Sequence, residues 1–284
     1  MKIDTIRTLI QYVPNLTEEQ VCRVLEVIKS YPNKPGAPHR GIPGRRGGSL
    51  SRLGSMERTL AENEYENDPD SSGNNIGWFE SYRVVLKGDG RALAKPVLDD
   101  EKMLNLGGTI DTRGALESEV ATYELSKELG FDGLVPPTIE RDNMSMQHWV
   151  EGSKTLNDIS RIDIADNKKM RTQLGNIMLL DAIIANPDRH DKNMVVDKKG
   201  NVYAVDNGLG FNFIERVGSG GWMRSDKVTD YATITRSTHD KAMNIFWDTD
   251  GYGTKLAQKY RLDYTELQYR MQVFLRFEKT RYTI

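Results

Sequence analysis

The chain has 284 residues, a formal net charge of −2, 38% hydrophobic residues and 28% charged residues. This length allows one large domain or two small lobes with a buried core, and the composition is typical of globular proteins. The near-neutral charge gives no reason to expect a nucleic acid as a partner. The single cysteine, Cys22, excludes an internal disulfide and a cysteine-rich metal site.

No run of residues is long and apolar enough to span a bilayer. The N-terminal stretch MKIDTIRTLIQYVPN lacks the continuous apolar core of a secretory signal. We therefore expect a soluble, cytoplasmic protein without a membrane span.

The first part of the chain predicts two helices followed by a linker. Apolar residues recur at helical spacing through residues 1–31, which we interpret as an N-terminal helical pair. Residues 32–72 are rich in Gly, Pro and Arg and then turn acidic, as in a flexible linker. Within RRGGSLSR, Ser49 and Ser51 lie beside arginines and are candidate phosphorylation sites.

The next segment, 73–152, is predicted to be strand-rich. GWFESYRVVL and RALAKPV flank the turn KGDG, which indicates a hairpin. ALESEVATYELSKELGF predicts a helix, and VPPTIERD and SMQHWVEG predict two further strands.

The remaining segment, 153–284, is predicted to be mostly helical. NKKMRTQLGNIMLLDAIIAN has the broad apolar stripe of a core helix, and DYTELQYRMQVFLRFEKTRY predicts a C-terminal helix. A strand-rich half followed by a helical half indicates an α+β fold with a cleft between two lobes.

The stretch ANPDRHDKNMVVDKKGNVYAVDNGLGF, residues 185–211, places polar residues around a predicted hairpin. The hairpin would bring Asn193 and Asp206 to the same end. Their amide and carboxylate oxygens suit Mg²⁺ that also holds phosphates, and Asp188 could orient or deprotonate an attacking hydroxyl. This is the layout of a kinase catalytic loop and metal-binding aspartate.

Two upstream features complete the set of groups that phosphoryl transfer requires. Lys95 lies on a predicted strand, and the next predicted helix offers Glu117, Glu119 and Glu124. Each residue alone has a simpler interpretation, such as a surface charge, a turn former or a structural histidine at His190. Their joint order favours a phosphotransferase.

NPDRHDKNMVV followed by VYAVDNGLGF resembles the catalytic core of the phosphatidylinositol 3-/4-kinase-like superfamily of atypical kinases. The loop is also similar to that of HipA-type bacterial kinases, whose pattern is matched by Asn186, Asp188, His190, Lys192 and Asn193. Upstream, ALAKP and SEVATYELSKELGFDGLVPPT resemble the lysine strand and glutamate helix of the superfamily. The resemblance covers roughly residues 76–213 and implies a bilobal protein-kinase-like fold.

The resemblance also implies roles for individual residues. Lys95 would bind nucleotide phosphates and pair with Glu119, although Glu117 remains a rival. MQHWVEG would be the hinge, with His148 and Trp149 near adenine. Asp188 would be the catalytic-loop aspartate, and His190 would brace the loop or assist the site. Asn193 and Asp206 would hold Mg²⁺. SSGNNIG, 71–77, is the best candidate for covering the phosphates.

We therefore expect an ATP- and Mg²⁺-dependent phosphotransferase, with Mn²⁺ as an alternative ion. A protein Ser/Thr kinase is the favoured interpretation because the sequence lacks a polybasic amphipathic helix for membranes. The acceptor could include the chain itself, at Ser49 or Ser51. The alternatives are a nucleotide-binding pseudokinase or scaffold, a lipid kinase, and an AMPylase on the same fold.

Overall fold

A computed structural model describes residues 54–69, 81–88, 90–97, 112–211 and 225–279. All of these lie within one compact unit, 41–284. The predicted helical pair, the linker before Gly54 with Ser49 and Ser51, and the SSGNNIG segment fall outside the described residues.

The described residues form a mixed α+β fold. The strands are β1 Tyr65–Asn67, β2 Tyr82–Leu86, β3 Arg91–Pro96, β4 Thr138–Arg141, β5 Met144–His148, β6 Lys154–Thr155, β7 Met194–Val196 and β8 Val202–Ala204. The α-helices are α1 Ser55–Glu62, α2 Thr112–Glu128, α3 Arg161–Asp166, α4 Lys168–Ile184, α5 Asp226–Tyr231, α6 Arg236–Phe246, α7 Tyr252–Tyr260 and α8 Tyr264–Lys279. Short 3₁₀ turns cover Leu156–Asp158, Asp191–Asn193 and Thr249–Gly251.

The first five strands form an antiparallel sheet in the order β1-β2-β3-β5-β4. Successive side chains of a strand point to opposite faces, so one face carries a cluster of buried apolar residues. This cluster packs Leu60 of α1 onto the sheet and consists of Leu60, Val84, Leu86, Ala92, Ala94, Met144 and Met146. Lys95 alternates with Ala94 and therefore lies on the other face, where α2 packs.

The helical part is built around α4. Its N-terminus is capped by the side chain of Asn167, which accepts a hydrogen bond from the Met170 amide. Nearly every residue of its second half is buried, because α6 and α8 pack against it and β8 lies alongside. Among the helices within the described ranges, none has the length and apolar character needed to cross a membrane.

The predicted order of strands and helices from Tyr82 onward is confirmed. The linker prediction is wrong at its C-terminal end, because α1 and β1 lie within 32–72. Among the interactions that hold this segment in place, Leu60 is fully buried against the sheet, and β1 pairs with β2. The segment's polar composition hid these contacts, since one buried leucine anchors α1.

Candidate active site

Lys95 lies at the centre of a charged cluster between the first sheet and the helical part. Its Nζ is 2.5 Å from Glu119 Oε1 and 2.8 Å from Asp206 Oδ1. Glu119 is 2% exposed, whereas the side chain of Asp206 is 47% exposed. The cluster therefore joins a strand, a helix and the loop after β8 through one ammonium group.

The charges in this cluster shift one another's proton affinities. Burial of the Lys95 ammonium opposes protonation, but Glu119 and Asp206 outweigh it and raise the Lys95 pKa above its ordinary value. The Lys95 ammonium in turn lowers the pKa of Asp206, with smaller contributions of the same sign from Arg189 and His190. At neutral pH the site therefore holds a protonated lysine and an ionised aspartate.

The helix α2 presents two carboxylates that are two residues apart and therefore lie on different faces, and they have different partners. Glu119 contacts Lys95, and its Oε2 accepts a hydrogen bond from the Asn207 amide at 3.4 Å. Glu117 instead accepts a hydrogen bond at 3.2 Å from Arg113, four residues earlier on the same helix. The geometry thus separates the two rivals: Glu119 pairs with Lys95.

The loop after α4 holds Asp188 beside Asn193. The side chain of Asn186 accepts a hydrogen bond from the Asp188 amide at 3.0 Å. The side-chain nitrogen of Asn193 donates to the Asp188 carbonyl, also at 3.0 Å. The amide oxygen of Asn193 therefore points away from that carbonyl. His190 Nε2 lies 3.8 Å from the Asp188 carboxylate, and its Nδ1 accepts a hydrogen bond from the Lys192 amide.

Arg189 supports this loop from within the protein. Its side chain is fully buried and forms a two-point ion pair with Asp181 of α4, at 2.9 and 3.0 Å. It also donates to the carbonyls of Asn193 and Val205 and to the side chain of Asn207. Burial raises the pKa of Asp181, and the Arg189 guanidinium opposes this shift.

No role for Arg189 or Asp181 is predicted by the motifs of the sequence. A signal was present, since Asp181 interrupts the apolar run of α4 at a buried position. A buried carboxylate requires a partner, and the arginine eight residues later could have been considered for that role.

Asn193 and Asp206 are brought to the same end of a hairpin, as predicted. Strand β7 pairs with β8, with Met194 opposite Ala204. The Val205 amide then donates a hydrogen bond to the Asn193 carbonyl at 3.0 Å. Because Val205 directly precedes Asp206, this bond keeps Asp206 and Asn193 at the same end of the hairpin. Within the described ranges, no three His, Cys, Asp or Glu side chains gather closely enough to hold a metal ion by themselves.

The backbone around this loop adopts left-handed conformations at residues other than glycine. Ala185, Asp206 and Phe211 have φ values of 53°, 55° and 59°. Such conformations are uncommon for residues with a side chain, and they concentrate at functional sites. At Asp206 the turn breaks the direction of β8 and leaves the carboxylate facing Lys95.

A small cleft surrounds the charged cluster. Ser145 contributes from β5, directly opposite Lys95 in the sheet, and Ala115 contributes from α2. The Ser118 hydroxyl donates to the Gly210 carbonyl at 2.7 Å, tying α2 to the loop after Asp206. The cleft is lined by Lys95, Pro96, Ala115, Leu116, Glu119, Ser145, Asp206 and Gly208.

The structure does not bring His148 to this cleft. His148 pairs with Ala92, so its side chain starts from the face opposite to that of Lys95. Trp149 follows β5 and lies under the guanidinium of Arg83, 5.4 Å from the ring centroid. Arg83 is opposite Leu93 and shares the face of Lys95, which places the Trp149 ring on the Lys95 side of the sheet.

No protein-family model matches the chain, and no curated protein matches its sequence. The kinase resemblance therefore stays a prediction, and the geometry of the described residues carries the functional argument.

Proposed function

We propose that this chain is an ATP-dependent phosphotransferase of the atypical, phosphatidylinositol 3-/4-kinase-like type, with a bilobal kinase-like fold. The single observation that carries the proposal is the position of Lys95 between Glu119 and Asp206. A buried glutamate, a lysine and an exposed aspartate from three separate elements are similar to the lysine–glutamate pair and metal-binding aspartate that protein kinases use around a nucleotide.

The chemistry assigned to Lys95 is electrostatic. Its raised pKa keeps the amine charged at neutral pH, so it can contact nucleotide phosphates as a cation. Glu119 is buried and bonded to Asn207, which favours a fixed position for its carboxylate. Glu119 would thus orient the Lys95 side chain and would not itself react with the substrate.

Asn193 and Asp206 are the residues that would hold Mg²⁺, or Mn²⁺ in its place. Magnesium in nucleotide sites takes one or two protein ligands and fills the remaining positions with water and phosphate oxygens. One carboxylate and one amide oxygen fit that requirement, even though the described residues provide no larger cluster. When bound, the ion would neutralise charge on the transferring phosphate.

Asp188 is the residue we assign to the acceptor hydroxyl. Its backbone is held from both sides, by the side chains of Asn186 and Asn193, and its carboxylate is half-buried. Such a carboxylate can orient the hydroxyl and accept its proton as the phosphate is transferred. His190, at 3.8 Å from the carboxylate, would position it.

The acceptor class can be tested with Mg-ATP labelled at the γ-phosphate. The purified chain would be incubated alone, with a serine-rich model protein, and with vesicles containing phosphatidylinositol. We expect label in protein, including the chain itself at Ser49 or Ser51. Label in lipid would indicate a lipid kinase instead, and nucleotide binding without label in any acceptor would indicate a pseudokinase or scaffold.

A further inference from the structure

The helix α1 precedes the sheet and contacts two other elements. At its C-terminal end, Leu60 is fully buried against the sheet. Arg141 of β4 donates to the carbonyls of Leu60 and Asn63, at 2.9 and 2.6 Å, and so satisfies the end of the helix. This end of α1 is therefore fixed to the sheet.

The other end of α1 reaches the helix that carries Glu119. Glu57 is 6% exposed, and its Oε1 accepts hydrogen bonds from the Tyr123 hydroxyl at 2.6 Å and from Lys127 Nζ at 2.7 Å. Burial alone would raise the pKa of Glu57, but the bonds from Lys127 and Tyr123 outweigh it and lower the pKa. The contact is therefore ionic and directional.

The contact lies close to the candidate active site along α2. Tyr123 is one helical turn after Glu119, and residues four apart share a face of a helix. A rigid helix that shifts or rotates at Tyr123 must also move the Glu119 carboxylate. The tail of α2 has a further tie, since the Tyr260 hydroxyl donates to Glu128 at 2.9 Å.

We propose that Glu57 is a positioning residue for phosphoryl transfer: through Tyr123 and Lys127 it sets the place of α2 and thereby keeps Glu119 on Lys95. The inference rests on the proposed function for its effect on catalysis. The structural part, in which α1 controls the Lys95–Glu119 pair, stands without it. A hydrogen-bonded charge suits this role because it defines one register between two helices, whereas an apolar contact tolerates sliding.

A glycine provides an independent way to disturb the contact. Gly54 has φ −64° and ψ 172°, a conformation that any residue adopts. A Cβ built there would lie 2.2 Å from Glu57 Oε2, so Gly54→Ala must displace the carboxylate while leaving it in the chain. Tyr123→Phe removes one donor and keeps the ring. Glu62→Ala, an exposed carboxylate on the same helix, is the matched control.

The first measurement requires no nucleotide. The acylation rate of the Lys95 amine by a small reagent is followed by peptide mass spectrometry at one fixed pH. In wild type the amine is 15% exposed and held 2.5 Å from Glu119, so loss of that contact leaves it freer to reach the reagent. We expect faster acylation in Glu57→Ala, Gly54→Ala and Tyr123→Phe, towards the rate of Glu119→Gln, and a wild-type rate in Glu62→Ala.

The second measurement is phosphate transfer by the same variants. We expect a several-fold fall in kcat in Glu57→Ala, Gly54→Ala and Tyr123→Phe, which we call the clamp variants. The kcat of Glu57→Gln, which still accepts a hydrogen bond from Tyr123, should lie between those of wild type and Glu57→Ala. Thermal unfolding identifies any of these three variants that fails to fold, and the variants that do fold then decide the result. The proposal would be overturned if Lys95 in the folded clamp variants is acylated at the wild-type rate while Lys95 in Glu119→Gln is acylated faster. If no variant or wild type transfers phosphate, the acylation rates still decide the structural part, and the proposed function fails separately.

Discussion

The ammonium of Lys95 and the carboxylate of Asp206 lie 2.8 Å apart, although 111 residues separate them in the chain. One belongs to the first sheet and the other to the loop after the β7–β8 hairpin. Their ion pair therefore connects the strand-rich and helical parts at the same place where Glu119 arrives from α2.

Replacing Lys95 tests how strongly the cluster stabilises the fold. Lys95→Met leaves the Glu119 carboxylate buried without its cation, so we expect the free energy of unfolding to fall by about 2–4 kcal/mol. Urea denaturation measures the change. The control is Lys87→Met, because Lys87 is 77% exposed and pairs with an exposed glutamate. Equal stability of the two variants would contradict the role of Lys95.

Replacing the two glutamates of α2 tests the assignment within the helix. We expect Glu119→Gln to lower kcat for phosphate transfer by at least about tenfold, because Lys95 loses the group that positions it. Glu117→Gln makes the same chemical change two residues away on another face of the helix, where the partner is Arg113, and should leave kcat within about twofold of wild type. The reverse order of effects would assign the pairing to Glu117.

Arg189 is predicted to matter more for stability than any exposed arginine. Arg189→Ala leaves the buried Asp181 carboxylate and several carbonyls without their hydrogen-bond donor. The free energy of unfolding should therefore fall by about 3–5 kcal/mol. Arg189→Lys should recover little, since an ammonium cannot reproduce the planar, five-donor guanidinium. Arg236→Ala, at a side chain 94% exposed, is the control for urea denaturation. Full recovery by lysine would show that charge alone suffices.

The Asp206 pKa predicts a pH dependence of stability. Its folded pKa is lowered, so the ionised carboxylate stabilises the fold above the unfolded value of about 3.9, and this contribution disappears as the pH falls through the folded pKa. Asp206→Asn should be less stable than wild type by up to about 1 kcal/mol above pH 5, since the carboxylate is half exposed. The difference should shrink below pH 4. A constant difference across this range would contradict the shift.

The meeting of Lys95, Glu119 and Asp206 could be anticipated because each residue belongs to a pattern that is local in sequence. A strand, a helix and a hairpin are visible from periodicity and turn residues, and the order of the charged groups supplied the rest. The choice between Glu117 and Glu119 depends on the tertiary structure, because both lie on one short stretch of helix and the face that meets Lys95 depends on packing.

Other features depend on partners far apart in the chain. The side of the sheet that His148 occupies depends on strand register, and a shift of one residue reverses it. The sequence could have suggested Asp181 as a partner of Arg189, but only the fold reveals the three carbonyl or amide oxygens that Arg189 also binds. Helix α1 was missed because its contacts, through Glu57 and Leu60, are with residues of α2 and the sheet.

The most direct test of the central claim compares ATP labelled at the γ-phosphate with ATP labelled at the α-phosphate, in the presence of Mg²⁺. Wild type, Asp206→Ala and the control Glu117→Gln would each be incubated with both. We predict transfer of γ label by wild type and Glu117→Gln, its loss in Asp206→Ala, and no transfer of α label. Transfer of α label would contradict a kinase and indicate AMPylation, and γ transfer that survives in Asp206→Ala would place the chemistry elsewhere.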